Sequence, residues 1–166
     1  MKVVGLISDT HIPTKAKRLP LKVFEVFKNA DFIIHAGDLV QLEVLSELEQ
    51  LAPVLAVHGN MDRKDIREKL PKMNTLKTYD WIIGVMHDPG TLFGKSKMLK
   101  IAEENNFKVL VYGHTHHSSI RWEDKLLFIN PGSPTNPLPP FITKPTVGVL
   151  RITREKIEPE IILLEE

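Results

Sequence analysis

The chain has 166 residues, the usual size of one domain, and we expect a single domain over residues 1–166. Hydrophobic residues make up 42% and charged residues 26%, which is typical of a folded globular protein and excludes a disordered or fibrous chain. The 22 Lys and Arg residues balance 21 Asp and Glu residues, and the resulting net charge of +1 excludes a general attraction to nucleic acid.

The first 60 residues alternate between short apolar runs and helical patterns. Apolar runs over residues 3–7, 31–35 and 54–57 predict buried strands. Hydrophobic residues at helical spacing predict amphipathic helices over residues 21–27 and 42–51. Short connections between buried strands indicate parallel pairing with right-handed crossovers, so this half of the chain predicts a parallel sheet.

The remaining residues predict a helix over 95–106 and strands that are mostly joined by turns. The strands are expected over residues 75–79, 81–86, 108–112, 118–122, 126–129, 146–152 and 157–163. Residues 130–145 hold six of the twelve prolines, so we expect a long irregular loop there. The predicted class is α/β, with two mixed sheets face to face and helices outside.

The sequence contains no cysteine, which excludes disulfides, thiolate metal ligands and a cysteine nucleophile. The apolar run at residues 3–7 is shorter than the apolar region of a signal peptide. No apolar stretch approaches the roughly 18–20 residues that span a bilayer. We therefore expect a cytoplasmic protein with no membrane partner.

Histidines concentrate where predicted strands end. Five of the seven lie at or just beyond a strand's carboxyl end, namely His11, His35, His58, His87 and His114. Asp9, Asp38 and Asn60 occupy the same kind of position. Because ligands of open α/β sheets bind at the carboxyl ends of strands, these residues predict one polar site.

Each of these segments also has a structural explanation when it is taken alone. Residues 9–11 could form a turn or a helix cap, and residues 37–38 and 59–60 are familiar turn dipeptides. The segment 113–117 points more specifically to metal binding. His114 and His116 are two residues apart and face the same way in extended backbone.

The donor set indicates the metal chemistry. It consists of Asp9, His11, Asp38, Asn60, His87, His114 and His116. Nitrogen and oxygen donors without sulfur suit Mn, Ni, Fe, Co or Zn rather than Ca. Seven donors are too many for one ion but suit two divalent ions that share a carboxylate. Two such ions stabilise both the attacking and the leaving oxygen of a displacement at phosphorus.

These motifs together resemble the calcineurin-like metallophosphoesterases. The motifs are D-x-H at residues 9–11, G-D at 37–38, G-N at 59–60, His87 and G-H-T-H at 113–116. The chain length and N-P-G-S at residues 130–133 resemble the small single-domain phosphodiesterase branch of that family. The resemblance implies a four-layer α/β/β/α sandwich of two mixed sheets flanked by helices.

The resemblance also implies a ligand assignment and a reaction. The first ion would be held by Asp9, His11, Asp38 and His116, and the second by Asp38, Asn60, His87 and His114. Asp38 would bridge the ions, and a bridging water acidified by both would attack phosphorus. The implied substrate is a small phosphodiester.

The chain departs from the family pattern at Met61. Many members have a histidine here, which is thought to protonate the leaving group, and a methionine cannot transfer a proton. Reactive aryl esters need less acid assistance and could still be cleaved. His58, His117 or Asp62 could replace the missing acid, although we expect His58 and His35 to be structural or to orient ligands.

Other residues leave alternatives open. Lys15, Lys17 and Arg18 follow the first motif and could hold a phosphate, although a solvated basic loop is the simpler interpretation. The proline-rich loop could border the site or pack against a second subunit in a homo-oligomer. Three aromatic residues are expected in the core or at an interface, namely Trp81, Trp122 and Phe141.

Two other functions compete with a dinuclear phosphodiesterase. One is an interaction module on the same fold, like the retromer subunit that has lost part of the ligand set. Every expected ligand type is present here, and Met61 is the single feature that favours this alternative. The other is a phosphomonoesterase, which would need a site closed to a second ester group.

Overall fold

The computed structural model describes residues 1–165, and Glu166, which the single-domain prediction includes, lies outside them. The strands, in chain order, are β1 (Lys2–Ile7), β2 (Phe32–His35), β3 (Val54–Ala56), β4 (Met73–Thr78), β5 (Trp81–Met86), β6 (Val109–Val111), β7 (Ser119–Glu123), β8 (Leu126–Asn130), β9 (Thr146–Ile152) and β10 (Ile157–Leu163). The helices are α1 (Leu21–Phe27), α2 (Glu43–Glu49), α3 (Lys64–Lys69) and α4 (Lys95–Glu104), and Thr91–Phe93 form one 3-10 turn.

The strands form two five-stranded mixed sheets. The first has the order β10-β9-β1-β2-β3, with β1, β2 and β3 parallel and β9 antiparallel to both neighbours. The second has the order β4-β5-β6-β8-β7, with β5, β6 and β8 parallel and the two edge strands antiparallel. The parallel β1–β3 unit predicted from the first 60 residues is therefore confirmed.

Three apolar clusters show how the layers stack. Leu6 of β1 and Val85 of β5 belong to a cluster between the two sheets. Ile7 points to the other face of β1, where it joins Phe27 of α1 in a second cluster. Helix α4 covers the outer face of the second sheet through Met98. The order of layers is α/β/β/α, which confirms the predicted fold class.

Local differences from the prediction have simple causes. Helix α3 was not expected, because Ile66 is its single buried residue and one apolar position gives no helical period. Most other elements match to within one or two residues, and the 130–145 segment is irregular as expected. Of the three aromatic residues, Trp81 donates its indole N–H to the Thr153 carbonyl at 2.8 Å, whereas Trp122 and Phe141 are exposed and lie outside the core. Within residues 1–165 no helix is both long and apolar enough to cross a membrane.

Candidate metal centre

Five loops meet at one edge of the two sheets. They follow β1, β2, β3, β5 and β6, which are parallel within their sheets and end on this side. The loops carry all seven residues expected from the sequence, and the structure brings the seven together. The carboxyl ends of the strands therefore form the polar site that the spacing predicted.

Four of the seven residues form a buried group. Donor atoms of Asp9, His11, Asp38 and His116 all lie within 4.8 Å of one another. The Nε2 atoms of His11 and His116 are 3.2 Å apart, and His116 Nε2 lies 3.3 Å from Asp9 Oδ1. Two carboxylates and two imidazoles thus surround one small volume, as the ligands of a metal ion would.

The remaining three residues form a second group beside the first. His87 Nε2 lies 2.9 Å from Asn60 Oδ1, and His114 Nδ1 lies 3.1 Å from the same oxygen. His87 Nε2 is also 3.1 Å from Asp38 Oδ2. The Asp38 carboxylate is therefore in contact with both groups.

Hydrogen bonds outside the cluster fix the tautomers of two histidines. His87 Nδ1 lies 2.8 Å from the Ala36 carbonyl oxygen, and His116 Nδ1 lies 2.7 Å from that of Asn136. A carbonyl oxygen only accepts, so each Nδ1 must carry a hydrogen and, in the neutral ring, Nε2 presents a lone pair to the cluster. This is the orientation that metal-binding histidines need.

The cluster also lacks hydrogen-bond donors that would satisfy its carboxylate and amide oxygens. Asp9 Oδ1 is buried and has no hydrogen-bond partner among the described residues. His87 Nε2 faces two oxygens that only accept, Asn60 Oδ1 and Asp38 Oδ2. Bare acceptors that face one another in a buried site call for a cation, and the donor types suit a divalent transition metal.

The pKa values of the His87 and Asp9 side chains reflect the same need for a positive charge. Burial alone would lower the pKa of the His87 imidazole, but the hydrogen bond to Asp38 and the nearby Asp9 charge outweigh it and raise the pKa to about 9. Burial would raise the pKa of the Asp9 carboxyl, but the imidazoles of His11 and His116 beside it hold that pKa well below its usual range. Without metal, a proton on His87 supplies the positive charge that the carboxylates require.

The backbone of the site is unusual. A positive φ occurs in only a few per cent of non-glycine residues and is a typical form of strain at functional sites. It occurs at five of the seven residues, namely Asp9 (54°), His11 (43°), Asp38 (57°), His114 (69°) and His116 (58°). Close approach adds a second constraint, because a Cβ at Gly113 would collide with the Ser8 side chain.

Asp62, one of the candidate proton donors, has a different role. Its carboxylate is fully buried and accepts the backbone N–H groups of Asp38 at 3.0 Å, Val40 at 2.7 Å and Gly59 at 2.7 Å. These bonds tie the loop after β2 to the loop after β3. Asp62 is therefore a positioning residue, and its oxygens are already engaged as acceptors.

The proline-rich segment at the end of β8 and after it borders the site, which is one of the two alternatives expected from the sequence. Ser133 donates its hydroxyl to the Asp9 carbonyl at 2.7 Å, and Thr135 donates to the Thr10 carbonyl at 2.7 Å. Asn130 Nδ2 donates to the Gly113 carbonyl at 2.9 Å. The N-P-G-S motif at residues 130–133 was the available signal. Ser133 of this motif is 124 residues from Asp9 along the chain, so no sequence pattern indicated the hydrogen bond between them.

The other histidines lie around the centre. His35 is fully buried, and its Nε2 lies 3.1 Å from the Thr10 hydroxyl. Burial, partly offset by the charges of Asp9 and Asp38, lowers its pKa to about 4, so this ring is neutral and structural, as expected. His58 is half-buried, with Nδ1 3.4 Å from the Gly59 carbonyl, and His117 is exposed.

Two grooves open beside the cluster. The larger, of about 580 Å³, borders His11 and His116 and is lined by Lys15, Met61 and Arg63 among others. The smaller, of about 250 Å³, borders Asn60 and His87 and is lined by His58, Arg67 and Lys72 among others. Of the three basic residues after the first motif, Lys15 alone lines either of these grooves.

Comparisons with known proteins agree with this geometry. Residues 1–155 match the family model of the calcineurin-like phosphoesterase superfamily domain. The chain is 42% identical to a probable metallophosphoesterase of Methanothermobacter thermautotrophicus, over 96% of this chain and 91% of that protein. It is 33% identical to a phosphodiesterase of Methanocaldococcus jannaschii, over 96% of this chain and 98% of that protein.

A solved structure shares the fold at lower identity. Vps29 of Entamoeba histolytica, complexed with Zn²⁺, superimposes with a TM-score of 0.80 at 21% identity, covering 98% of this chain and 99% of that one. This likeness concerns the fold alone. The family match and the two sequence relatives show that the chain belongs to the calcineurin-like phosphoesterase superfamily.

Proposed function

We propose that the protein is a phosphodiesterase that depends on two divalent metal ions. The observation that carries the proposal is a cluster of seven nitrogen and oxygen donors in two groups that share Asp38. One ion would be held by Asp9, His11, Asp38 and His116, and the other by Asp38, Asn60, His87 and His114. The relatives named phosphodiesterase and metallophosphoesterase support this assignment.

Divalent ions at this centre would supply Lewis acidity, which acidifies water and neutralises charge on phosphoryl oxygens. The chain's contribution is to hold the donors in place. The carbonyls of Ala36 and Asn136 hold the rings of His87 and His116 with Nε2 facing inward. Lysine and arginine side chains in the grooves attract the anionic substrate.

The two grooves favour a diester over a monoester. A phosphodiester carries two organic substituents, and one groove borders each group of the proposed ligands. A phosphomonoesterase would leave one of these grooves without a role. The exposed side chain of Met61, beside the larger groove, leaves that side of the centre open.

An interaction module is the second candidate, and Met61 is the observation that favours it. Metal binding does not separate the two candidates, because the Vps29 relative by fold is itself complexed with Zn²⁺. Turnover separates them. A module would bind ions without hydrolysing any phosphoester.

The test is hydrolysis of bis(p-nitrophenyl) phosphate and p-nitrophenyl phosphate by metal-stripped protein, with Mn, Ni, Co, Zn or Mg added singly. We expect metal-dependent cleavage of the diester and little cleavage of the monoester. The variant Asp38→Asn, which removes the shared carboxylate, should abolish this activity, and Asp80→Asn at an exposed turn is its control. No turnover with any metal, despite two bound ions by elemental analysis, would favour the interaction module.

Other properties stay predictions. We propose one domain over residues 1–166, which the apolar cluster shared by the two sheets supports. We propose Mn, Ni, Fe, Co or Zn as the resident metal, a cytoplasmic location and a homo-oligomer on the basis of the sequence alone. The add-back series ranks the metals, and light scattering measures the oligomeric state.

A further inference from the structure

We propose that the protein has a second binding site, which takes a phosphate group, in a cavity outside the metal centre. The cavity has a volume of about 280 Å³ and is lined by residues from the start of α4, the loop after β6 and strand β7. None of the seven proposed metal ligands lines it. The proposal therefore goes beyond the phosphodiesterase function and does not depend on it.

The loop after β6 contributes to both places. His114 and His116 are proposed metal ligands, whereas Thr115 and His117 of the same loop line the cavity. A ligand in the cavity therefore contacts this loop without using any donor of the metal centre.

Two cationic side chains line the cavity, Lys95 at the start of α4 and Arg121 on β7. Both are close to one carboxylate, because Glu123 forms an ion pair with Lys95 and lies 3.6 Å from Arg121 Nε. Within residues 1–165 no acidic side chain lines the cavity, and Asp88, which contacts Thr91 at its border, lines the smaller groove instead. Glu123 balances only one of the two cations, so the cavity wall keeps a positive charge that attracts anions.

The Arg121 guanidinium is held in place but lacks acceptors. Its Cζ lies 5.2 Å from the centre of the Phe128 ring, and Nη2 contacts the weak acceptor Met98 Sδ at 3.8 Å. Nε is buried and has no hydrogen-bond partner among the described residues. A partly buried charged group that is short of acceptors is costly, and an oxyanion in the cavity would supply them.

Neutral donors line the cavity as well. The hydroxyls of Tyr112 and Ser119 lie 3.1 Å apart, and because only one of them donates in that bond, the hydrogen of the other is free for a ligand. Helix α4 has ten residues and begins after Gly94, without a side-chain cap and without an acidic residue in its first turn. A Cβ at Gly94 would meet no atom within 4 Å, so the free N–H groups of this turn are open to an anion.

Size and charge select the ligand class. Pockets for small molecules usually have about 300–1,000 Å³, so this cavity, of about 280 Å³, suits a small ligand rather than a nucleotide. A phosphate group carries a charge of about −1.5 to −2 at neutral pH and at least three acceptor oxygens, which match the several donors. A carboxylate offers one charge and two oxygens. Arginine suits phosphate in particular, because its planar N–H groups bind two oxygens at once.

Calorimetric titration of the whole chain with inorganic phosphate tests the site. We expect one phosphate to bind per chain after a chelator has removed the ions, because the cavity uses none of their proposed ligands. Asp38→Asn should bind phosphate with the same affinity. Amide NMR signals of Gly94, Lys95 and Ser119 should shift on titration, which locates the ligand at the cavity.

Charge variants with matched controls test the two cations. Arg121→Gln and Lys95→Gln should each weaken phosphate binding about tenfold, the usual effect of losing one charge-assisted hydrogen bond. Arg151→Gln and Lys100→Gln are the controls, because each of these side chains also pairs with a glutamate but does not line the cavity. Lys95 is exposed, so Lys95→Gln tests the site even if Arg121→Gln fails to fold.

The source of the phosphate group is resolved by comparing ligands. Tighter binding of glycerol phosphate than of inorganic phosphate would identify a small phosphate monoester as the ligand, and the reverse order would identify free phosphate. Equal binding of acetate would overturn the assignment to phosphate.

Three further outcomes would overturn the site itself. One is that the chelator-treated protein binds no phosphate. Another is that binding disappears in Asp38→Asn, which would place the phosphate at the metal centre. The third is that the cavity variants and their controls weaken binding equally. Hydrolysis at the metal centre is measured separately, so none of these results bears on the proposed phosphodiesterase function.

Discussion

The two halves of the candidate centre differ in burial. Asp9, His11, Asp38 and His116 are all buried. In the other half His87 is buried, whereas Asn60 is exposed and the His114 side chain is 31% exposed. Donors that solvent does not reach are fixed before the ion arrives, whereas exposed donors must be ordered by it. The buried half is therefore expected to bind its ion more tightly.

The difference arises from the segment after β8. Ser133 and Thr135 hold the loop of Asp9 through backbone carbonyls, and the Asn136 carbonyl holds the ring of His116. On the other side, the Asn60 side chain contacts the two histidines and is otherwise open to the smaller groove. One half of the centre is covered by a distant part of the chain, and the other is not.

The largest effect is expected from replacing Asp38, whose carboxylate the two halves share. Asp38→Asn takes a negative charge from both proposed sites, so we expect both ions to be lost and hydrolysis to fall roughly 1000-fold or more. Elemental analysis after dialysis and the diester assay measure the two effects. An active variant that retains two ions would show that Asp38 does not bridge.

Two further variants, one in each half of the centre, compare the metal affinities of the halves directly. Losing a ligand should weaken its own site about 100-fold or more, in line with the 10–100-fold that outer-shell partners alone contribute. His116→Ala should therefore abolish the tight phase of metal titration, whereas His114→Ala should leave the tight phase and remove the weak one. Calorimetric titration resolves the phases. The opposite assignment would contradict the order of affinities inferred from burial.

The pH dependence of the metal-free fold tests the charge balance. Because the folded pKa of His87 is about 9 and lies above the ordinary value of 6.5, its stabilising effect is complete below pH 6.5. It is lost as the pH rises towards 9, so the free energy of unfolding should fall by about 2–3 kcal/mol over that range. Urea denaturation in a chelator measures this decrease.

The same experiment with metal bound supplies the control. An ion takes the place of the proton on His87, so the loss of stability between pH 6.5 and 9 should disappear. The variant His87→Asn should also lose it in the metal-free state. A decrease of the same size in all three samples would mean that other groups carry it.

The smallest expected effect concerns residue 61. Met61→His places a proton donor beside the larger groove, and we expect about a tenfold gain in kcat/KM on diesters with alkoxide leaving groups, at the low end of general-acid effects. Met61→Leu is the matched control, since it changes shape without adding an acid. An unchanged rate on such diesters would mean that proton transfer does not limit their cleavage.

The sequence predicts those parts of the fold and site that have a local pattern. An apolar run followed by a polar side chain marks each of the loops after β1, β2, β3, β5 and β6, and these five loops carry the seven donors. Helix α3 escaped because it buries Ile66 alone. The anchoring role of Asp62 and the contact from Ser133 to Asp9 were also missed, because hydrogen bonds across 24 and 124 residues leave no periodicity in the sequence.

The left-handed backbone at five of the seven donor positions has a consequence for laboratory evolution. Glycine and asparagine adopt this conformation with the least strain, whereas most other residues lower the free energy of unfolding when they adopt it. A codon-randomised library sorted only for expression should therefore enrich glycine and asparagine there, while one sorted for hydrolysis should keep aspartate and histidine. Selection for abundance and selection for activity thus favour different residues at the same five codons, and comparing the two libraries would map the centre.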